Sequence, residues 1–274
     1  MKKIDTYILE KFKINSKTSH KKKAYTIKPE SREELIEILK ERISKDKDAD
    51  LNDIDVSNIT DMAGLFVDGK IDQEDPKIGD IDISDWDVSN VKNMNSMFAY
   101  SDFNGDISNW NVSNVKSMAG MFQHCSFNGD ISTWDVSNVE EMLWMFSASK
   151  FNGDLSKWDV RNVKNMEAMF NASEFDGKNG DITKWNVSNV KNMKDMFRMT
   201  EFNQDISVWD VSKVRSIHGM FEKSSFNQDI NNWKFGYDDM SFYDMFNKCP
   251  LEKNPPKWYK EWADENLRDK VVFK

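Results

Sequence analysis

The chain has 274 residues and a net charge of −9, and 39% of its residues are hydrophobic. The negative charge argues against a nucleic-acid backbone as the main partner, because phosphates repel an acidic surface. Two cysteines, Cys125 and Cys249, are too few for a disulfide framework or a metal motif, so we expect two free thiols. No apolar segment is long enough to span a membrane.

Residues 1–23 form a basic arm with eight lysines and two acidic residues. Apolar residues at 4–12 have helical spacing, which predicts either a helix that docks on a partner or an unstructured arm. The arm lacks the uninterrupted apolar run of a signal peptide, and the chain shows no lipoprotein cysteine. We therefore expect a cytoplasmic or virion-associated protein rather than a conventionally exported one.

Residues 24–49 are predicted to form a strand–helix cap at the N-terminal end of a repeat array. Residues 25–27 are a candidate strand that stops before Pro29. Ser31 and Glu34 have the spacing of a capping box, and an apolar face continues to about residue 44. Such a helix would cover the core that the first repeat otherwise exposes.

Residues 50–249 are predicted to form about eight repeat units. A fixed period of this length is typical of units that stack and bury a face on their neighbours. Tryptophans follow one another at steps of 24, 24, 24, 27, 24 and 24 residues: Trp86, Trp110, Trp134, Trp158, Trp185, Trp209 and Trp233.

The pattern within a unit mixes two periods. Trp110 and Val112 alternate with polar residues, which predicts a short half-buried strand. The apolar residues at 115, 118 and 121 are three apart, which predicts a short helix. The fold class is therefore predicted to be an α/β repeat solenoid of short parallel strands and short helices, capped at both ends. The predicted core set of one unit is Ile107, Trp110, Val112, Val115, Met118, Met121, Phe122 and Phe127.

A polar loop at 67–79 interrupts the array after its first unit. Insertions in repeat arrays map to loops on one face, which makes this loop a candidate for a binding role particular to its unit. A plain surface loop is the alternative. Its acidic side chains are Asp68, Asp72, Glu74 and Asp75.

Residues 250–274 are predicted to form a C-terminal cap. Pro250, Pro255 and Pro256 end the repeat pattern, because proline removes a backbone donor and restricts the chain. Trp258 and Trp262 provide apolar mass that could cover the last unit.

The repeated WDVSNVKNM…MF motif, preceded by FNGDIS, resembles the repeats of BspA-like leucine-rich-repeat surface proteins, the DUF285-type repeat. The resemblance covers about residues 50–247. It implies a right-handed leucine-rich-repeat-like solenoid and a surface or adhesion role in binding rather than catalysis.

One set of aspartates recurs in every regular unit and is called the aspartate column below. Stacked carboxylates repel one another unless something compensates. Either each one accepts hydrogen bonds from the backbone of its own turn, or cations bind between units, as in a calcium-dependent module. The aspartate column comprises Asp82, Asp106, Asp130, Asp154, Asp181, Asp205 and Asp229.

The sequence contains no arrangement typical of an active site. His20, His124 and His218 lie in separate parts of the chain, with no nucleophile–base pair, phosphate-binding glycine loop or metal-ligand spacing. We therefore expect no catalytic activity, no cofactor and no metal site.

The first functional hypothesis is a binding scaffold. Polar residues flanking the buried valine after each tryptophan would form one extended, acidic surface for a protein or glycan partner. We call this surface the polar face; it comprises Asp87, Ser89, Asn111, Ser113, Asp135, Ser137, Asp159, Arg161, Asn186, Ser188, Asp210 and Ser212.

The alternative hypothesis is a structural subunit of a larger assembly such as a phage particle. The separate basic arm, the two predicted caps and the missing export signal would all suit such a subunit. The sequence identifies neither the ligand nor the oligomeric state.

Overall fold

The computed structural model describes residues 24–67, 78 and 81–266. The basic arm, most of the loop at 67–79 and residues 267–274 lie outside this part of the chain. The helices of the described residues are α1 (Arg32–Lys45), a 3-10 helix (Pro250–Glu252) and α2 (Lys257–Asn266). None of them is long and apolar enough to cross a membrane.

The predicted fold class, an α/β repeat solenoid of parallel strands and short helices, is wrong. Across 50–249 the described residues contain neither a helix nor a strand, only turns and isolated bridge residues. The strand predicted at 25–27 is likewise reduced to one bridge residue, Ile27, paired with Ile54. The units are built from consecutive tight turns instead.

Four turns explain the apolar spacing that predicted a helix. In one unit they span 107–110, 112–115, 118–121 and 122–125, and each closes with a hydrogen bond from the fourth N–H to the first carbonyl, 2.9–3.2 Å long. The first and last residues of these turns are all buried. An apolar spacing of three residues therefore arises here from the two ends of a turn rather than from successive turns of a helix.

Positive φ angles prevent the chain from continuing as a helix. The third residue of the last two turns is left-handed, at Gly120 (φ 61°) and His124 (φ 52°), as type II turns require. A right-handed helix cannot pass through such a residue every four positions. The equivalent described residues of the other units are Gly64, Ser96, Tyr100, Trp144, Ala148, Ala168, Ala172, Asp195, Met199, Gly219, Lys223, Asp244 and Lys248.

Hydrogen bonds join each unit to the next in register. The N–H of Met94 donates to the carbonyl of Ser117 at 2.9 Å, and the N–H of Met118 donates to Glu141 at 3.0 Å. A series of single parallel bridges runs from Asp61 through Asn93 and Ser117 to Ser216, and the first two units share a second bridge, between Asp50 and Asp82. Because a turn lies on either side of each bridge residue, the pairing does not extend into a strand.

The predicted core set is confirmed, with all eight side chains at most 4% exposed. Phenyl rings of successive units stack: centroids of Phe98, Phe122, Phe146 and Phe170 follow one another at 5.7 Å. Each buried large apolar side chain contributes about 1.5–3 kcal/mol relative to exposure. Continuous burial across units is thus the main stabilising term of the array.

The indole N–H groups also link neighbouring units. Trp110 donates to the carbonyl of Ile83 at 3.1 Å, and Trp158 donates to Ile131 at 3.0 Å. This bond satisfies a donor that would otherwise be buried without a partner. Trp209 differs, because its indole N–H has no partner in the described part of the chain.

Helix α1 packs against the first unit. Leu35, Leu39 and Ile43 are at most 1% exposed and belong to the same apolar cluster as the repeats. Ser31 Oγ accepts the N–H of Glu34 at 3.1 Å, as expected for the N-cap residue. The carboxylate of Glu34 accepts the N–H of Glu30, one residue earlier than the predicted capping box required.

Helix α2 packs against the last unit and continues one interaction of the array. Trp258 Nε1 donates to the carbonyl of Ile230 at 3.0 Å, which is the bond that a repeat tryptophan would make. No residue of α2 is fully buried, however. The two ends of the array are therefore covered to different extents.

Candidate binding surface

The polar face lies on the outside of the array, and none of its twelve residues is buried. The valines between them, such as Val112 and Val136, are 1% exposed. The alternation therefore places polar side chains outward even though the local conformation is a turn rather than a strand.

Asp and Asn side chains of the polar face cap their own turns. Asn111 Oδ1 accepts the N–H of Ser113 at 3.2 Å, and Asp135 Oδ1 accepts that of Ser137 at 3.0 Å. Either residue type can do this, since both offer an oxygen at the same place. The negative charge of the aspartates is therefore not required by the turn.

A column of asparagines, which the sequence analysis missed, borders the polar face. Asn114 Nδ2 donates to the carbonyl of Ser89 at 2.8 Å, and Asn138 Nδ2 donates to that of Ser113 at 2.9 Å. The Ser-Asn dipeptide that recurs in most units is the sequence feature that could have predicted this column. These bonds occupy main-chain acceptors of the polar face and leave its recognition to side chains.

The aspartate column is compensated by hydrogen bonds within each turn, which confirms the first of the two explanations. Each carboxylate accepts the N–H two residues ahead at 2.8–3.0 Å. The backbone N–H of Ser132 lowers the pKa of Asp130, and the hydroxyl of Ser207 lowers the pKa of Asp205. The pKa values of Asp181 and Asp229 are lowered by the corresponding bonds from Thr183 and Asn231.

The lowered pKa values predict a specific acid sensitivity. A carboxyl whose pKa is lower folded than unfolded adds stability above its unfolded pKa, about 3.9, and this contribution disappears as the pH falls through the folded pKa. Thermal unfolding midpoints should therefore be flat above about pH 5 and fall below about pH 4. Scanning calorimetry across this range measures the effect.

The control is a variant that we call the column variant: Asp130→Asn, Asp181→Asn, Asp205→Asn and Asp229→Asn. Asparagine keeps the accepting oxygen, as Asn111 does naturally. The column variant should lose less stability on acidification than the parent. Parallel curves for the two proteins would contradict the assignment.

The remaining predicted candidates form no common site within the described residues. The acidic loop residues Asp68, Asp72, Glu74 and Asp75 lie outside the described residues. His124 stacks on Tyr100 with centroids 4.8 Å apart, and His218 lies four units further along. No group of three or more His, Cys, Asp or Glu side chains in the described ranges could hold a metal ion. Cys125 and Cys249 are buried free thiols, as predicted.

A charged cluster that spans three units was also not predicted from the sequence. Arg198 Nε lies 2.7 Å from Glu222, and Lys194 Nζ lies 3.5 Å from Glu167. Burial raises the pKa of Asp195, which lies between them. In their own units, Glu167 and Lys194 occupy the position that Ala119 has in its unit. These charged departures from the repeat pattern could have indicated the cluster.

These features define a tandem-repeat protein whose units stack through largely equivalent interactions. The chain belongs to the family described as "Mycoplasma protein of unknown function, DUF285", which matches residues 36–99, 71–179 and 171–259. The DUF285 part of the sequence resemblance is thereby confirmed. No curated protein and no solved structure matches the chain.

Proposed function

We propose that this chain is a non-catalytic binding scaffold of the BspA-like surface or adhesion type. Its polar face, with the loop at 67–79, would bind a protein or glycan partner. The observation that supports the proposal most directly is the outward repetition of Asp, Asn and Ser at corresponding turns, all of them at least partly exposed.

The chemistry of the polar face favours a basic protein surface. Four of its residues are aspartates, against one cation, Arg161, whose guanidinium lies 2.8 Å from Asp159. Like-charged partners would be repelled and basic ones attracted over a Debye length of about 8 Å. Because the turn requires only an oxygen acceptor, the four carboxylates can serve recognition.

The test removes the charge of the polar face and keeps its turns. The face variant carries Asp87→Asn, Asp135→Asn, Asp159→Asn and Asp210→Asn. Asn186 holds the same turn in its own unit, so we expect an unchanged fold by circular dichroism. In pull-downs from native lysate and culture fluid, quantified by mass spectrometry, recovery of the partner should fall about 10-fold or more.

The column variant is the matched control, because it removes four charges from the neighbouring turn. It should recover the partner as well as the parent does. If both variants lost partner recovery equally, the effect would come from net charge rather than from the polar face, which would contradict the proposal. Loss only on deletion of residues 67–79 would move the site to the loop.

A further inference from the structure

The C-terminal end of the array carries an open cleft that the repeat pattern does not explain. It has a volume of about 880 Å³ and lies between residues 233–243 and helix α2. Helix α1 buries three side chains almost completely at the other end, whereas α2 buries none. The cleft therefore belongs to an incompletely covered end.

Aromatic rings form the apolar walls of this cleft. The ring of Trp262 lies 5.4 Å from Phe242 and 5.2 Å from Tyr243, in edge-to-face contacts. Phe235 packs against Trp258 at 5.2 Å. The hydroxyl of Ser241, another lining residue, is shielded from solvent and has no hydrogen-bond partner in the described structure. An apolar ligand with polar donors would suit these walls.

The charge of the lining is acidic. Asp238, Asp239, Glu261 and Glu265 line the cleft and are exposed, and Lys234 is the one basic residue among the described lining residues. Beside the cleft, the guanidinium of Arg215 lies 4.6 Å from the ring centroid of Tyr237. A cation thus already packs on an aromatic ring here, and acid and aromatic groups together favour cationic ligands.

The basic arm has the complementary chemistry. Residues 1–23 combine eight lysines with apolar residues at 4, 7, 8 and 12. If the arm formed a helix on binding, this spacing would place its apolar residues on one face, which is how amphipathic helices enter apolar grooves. We propose that the cleft at the C-terminal end of one copy binds the basic arm of a second copy.

The position of the arm favours a second copy. The arm joins the chain at residue 24, close to the bridge between Ile27 and Ile54 at the N-terminal end. About eight units lie between that end and the cleft, and equivalent rings of successive units are 5.7 Å apart, so the arm begins at the opposite end of the array from the cleft. A second copy brings its arm to the cleft without spanning the array. Such a contact joins two different surfaces, so it builds open chains or closed rings.

The experiment is sedimentation velocity on the full chain from about 1 to 200 µM, because self-association depends on concentration. The average mass should rise with concentration and fall in about 0.5 M NaCl, where ion pairs are screened. An excess of a synthetic peptide of residues 1–23 should return the protein to the monomer. The same peptide with its lysines replaced by glutamine should not.

Two variants locate the contact. Glu261→Gln with Glu265→Gln removes two carboxylates from the cleft and should weaken association about 10-fold or more. Glu174→Gln with Glu201→Gln removes two exposed carboxylates from the array and should leave association unchanged. Thermal melts confirm that both variants fold.

A monomer at every concentration would overturn the proposal. So would association that persists in the cleft variant or resists the peptide. Residues 267–274, which follow the cleft residue Asn266 and include Arg268 and Lys270, would then be the next occupant to test. The proposal does not depend on the polar face, so failure here leaves the proposed binding function standing.

Discussion

Deletion of residues 127–150 should leave a folded protein, whereas deletion of residues 127–138 should not. The first deletion removes one complete period and joins Ser126 to Phe151, which reproduces the natural junction of Ser126 with Phe127. The N–H of Met118 then meets Asn165, which the equivalent Met142 already contacts at 3.0 Å. The backbone hydrogen bonds between units keep their counterparts.

The half-period deletion instead shifts the register, so that each turn near the junction faces residues from a different part of the neighbouring repeat unit. Buried aromatic rings would face polar side chains, and the N–H groups between units would lose their acceptors. Repeat arrays derive stability from intrinsic and nearest-neighbour terms, so this mismatch is felt on both sides of the junction. We expect the shorter deletion to abolish cooperative unfolding.

Urea titration followed by tryptophan fluorescence distinguishes the two variants. The full-period variant should unfold cooperatively, with a slope lower by roughly one-eighth, since the slope scales with the surface exposed. Equal behaviour of the two deletions would show that the units do not depend on their register.

Phe146→Ala should lower the free energy of unfolding by about 3–5 kcal/mol. The side chain is fully buried and contacts rings on several sides, with centroids 4.2 Å from Phe151 and 5.7 Å from both Phe122 and Phe170. Its removal leaves a cavity that these stacked neighbours cannot fill without breaking their own contacts.

Trp144→Ala is the matched control in the same unit. Trp144 is 43% exposed whereas Phe146 is fully buried, so its truncation opens no enclosed cavity in the ring stack. Chemical denaturation should give a loss clearly smaller than that of Phe146→Ala. A comparable loss in both variants would mean that the ring stack is not the main stabilising feature.

The period and the core could be predicted from the sequence, because both depend on which side chains avoid water. Met118 and Met121 lie inward whether the chain is helical or turned. The conformation could not be predicted from that spacing, because a helical turn and a tight turn with buried ends share it. The left-handed conformation of Gly120 and His124 distinguishes the tight turn from the helix. Of these two residues, only glycine is a residue type that predicts this conformation from the sequence.

The outward position of the polar face was likewise predictable from alternation with Val112 and its equivalents. The bonds of the asparagine column were not, because an acceptor such as the carbonyl of Ser89 lies 25 residues from its donor, Asn114. Only the stacking of units brings the two together. The charged cluster around Asp195 is hidden for the same reason, since its partners come from three different units.

In the last two turns of each unit, most residues with a left-handed backbone conformation are of types that disfavour it. Among the described residues, twelve other than glycine adopt positive φ there, including Tyr100 and Trp144, at a cost of about 1–2 kcal/mol each. These residues lower the stability of the array relative to one with glycine at each of these positions. The natural sequence therefore leaves room for higher thermostability, at exposed positions such as Ala172, that consensus design could gain without touching the core.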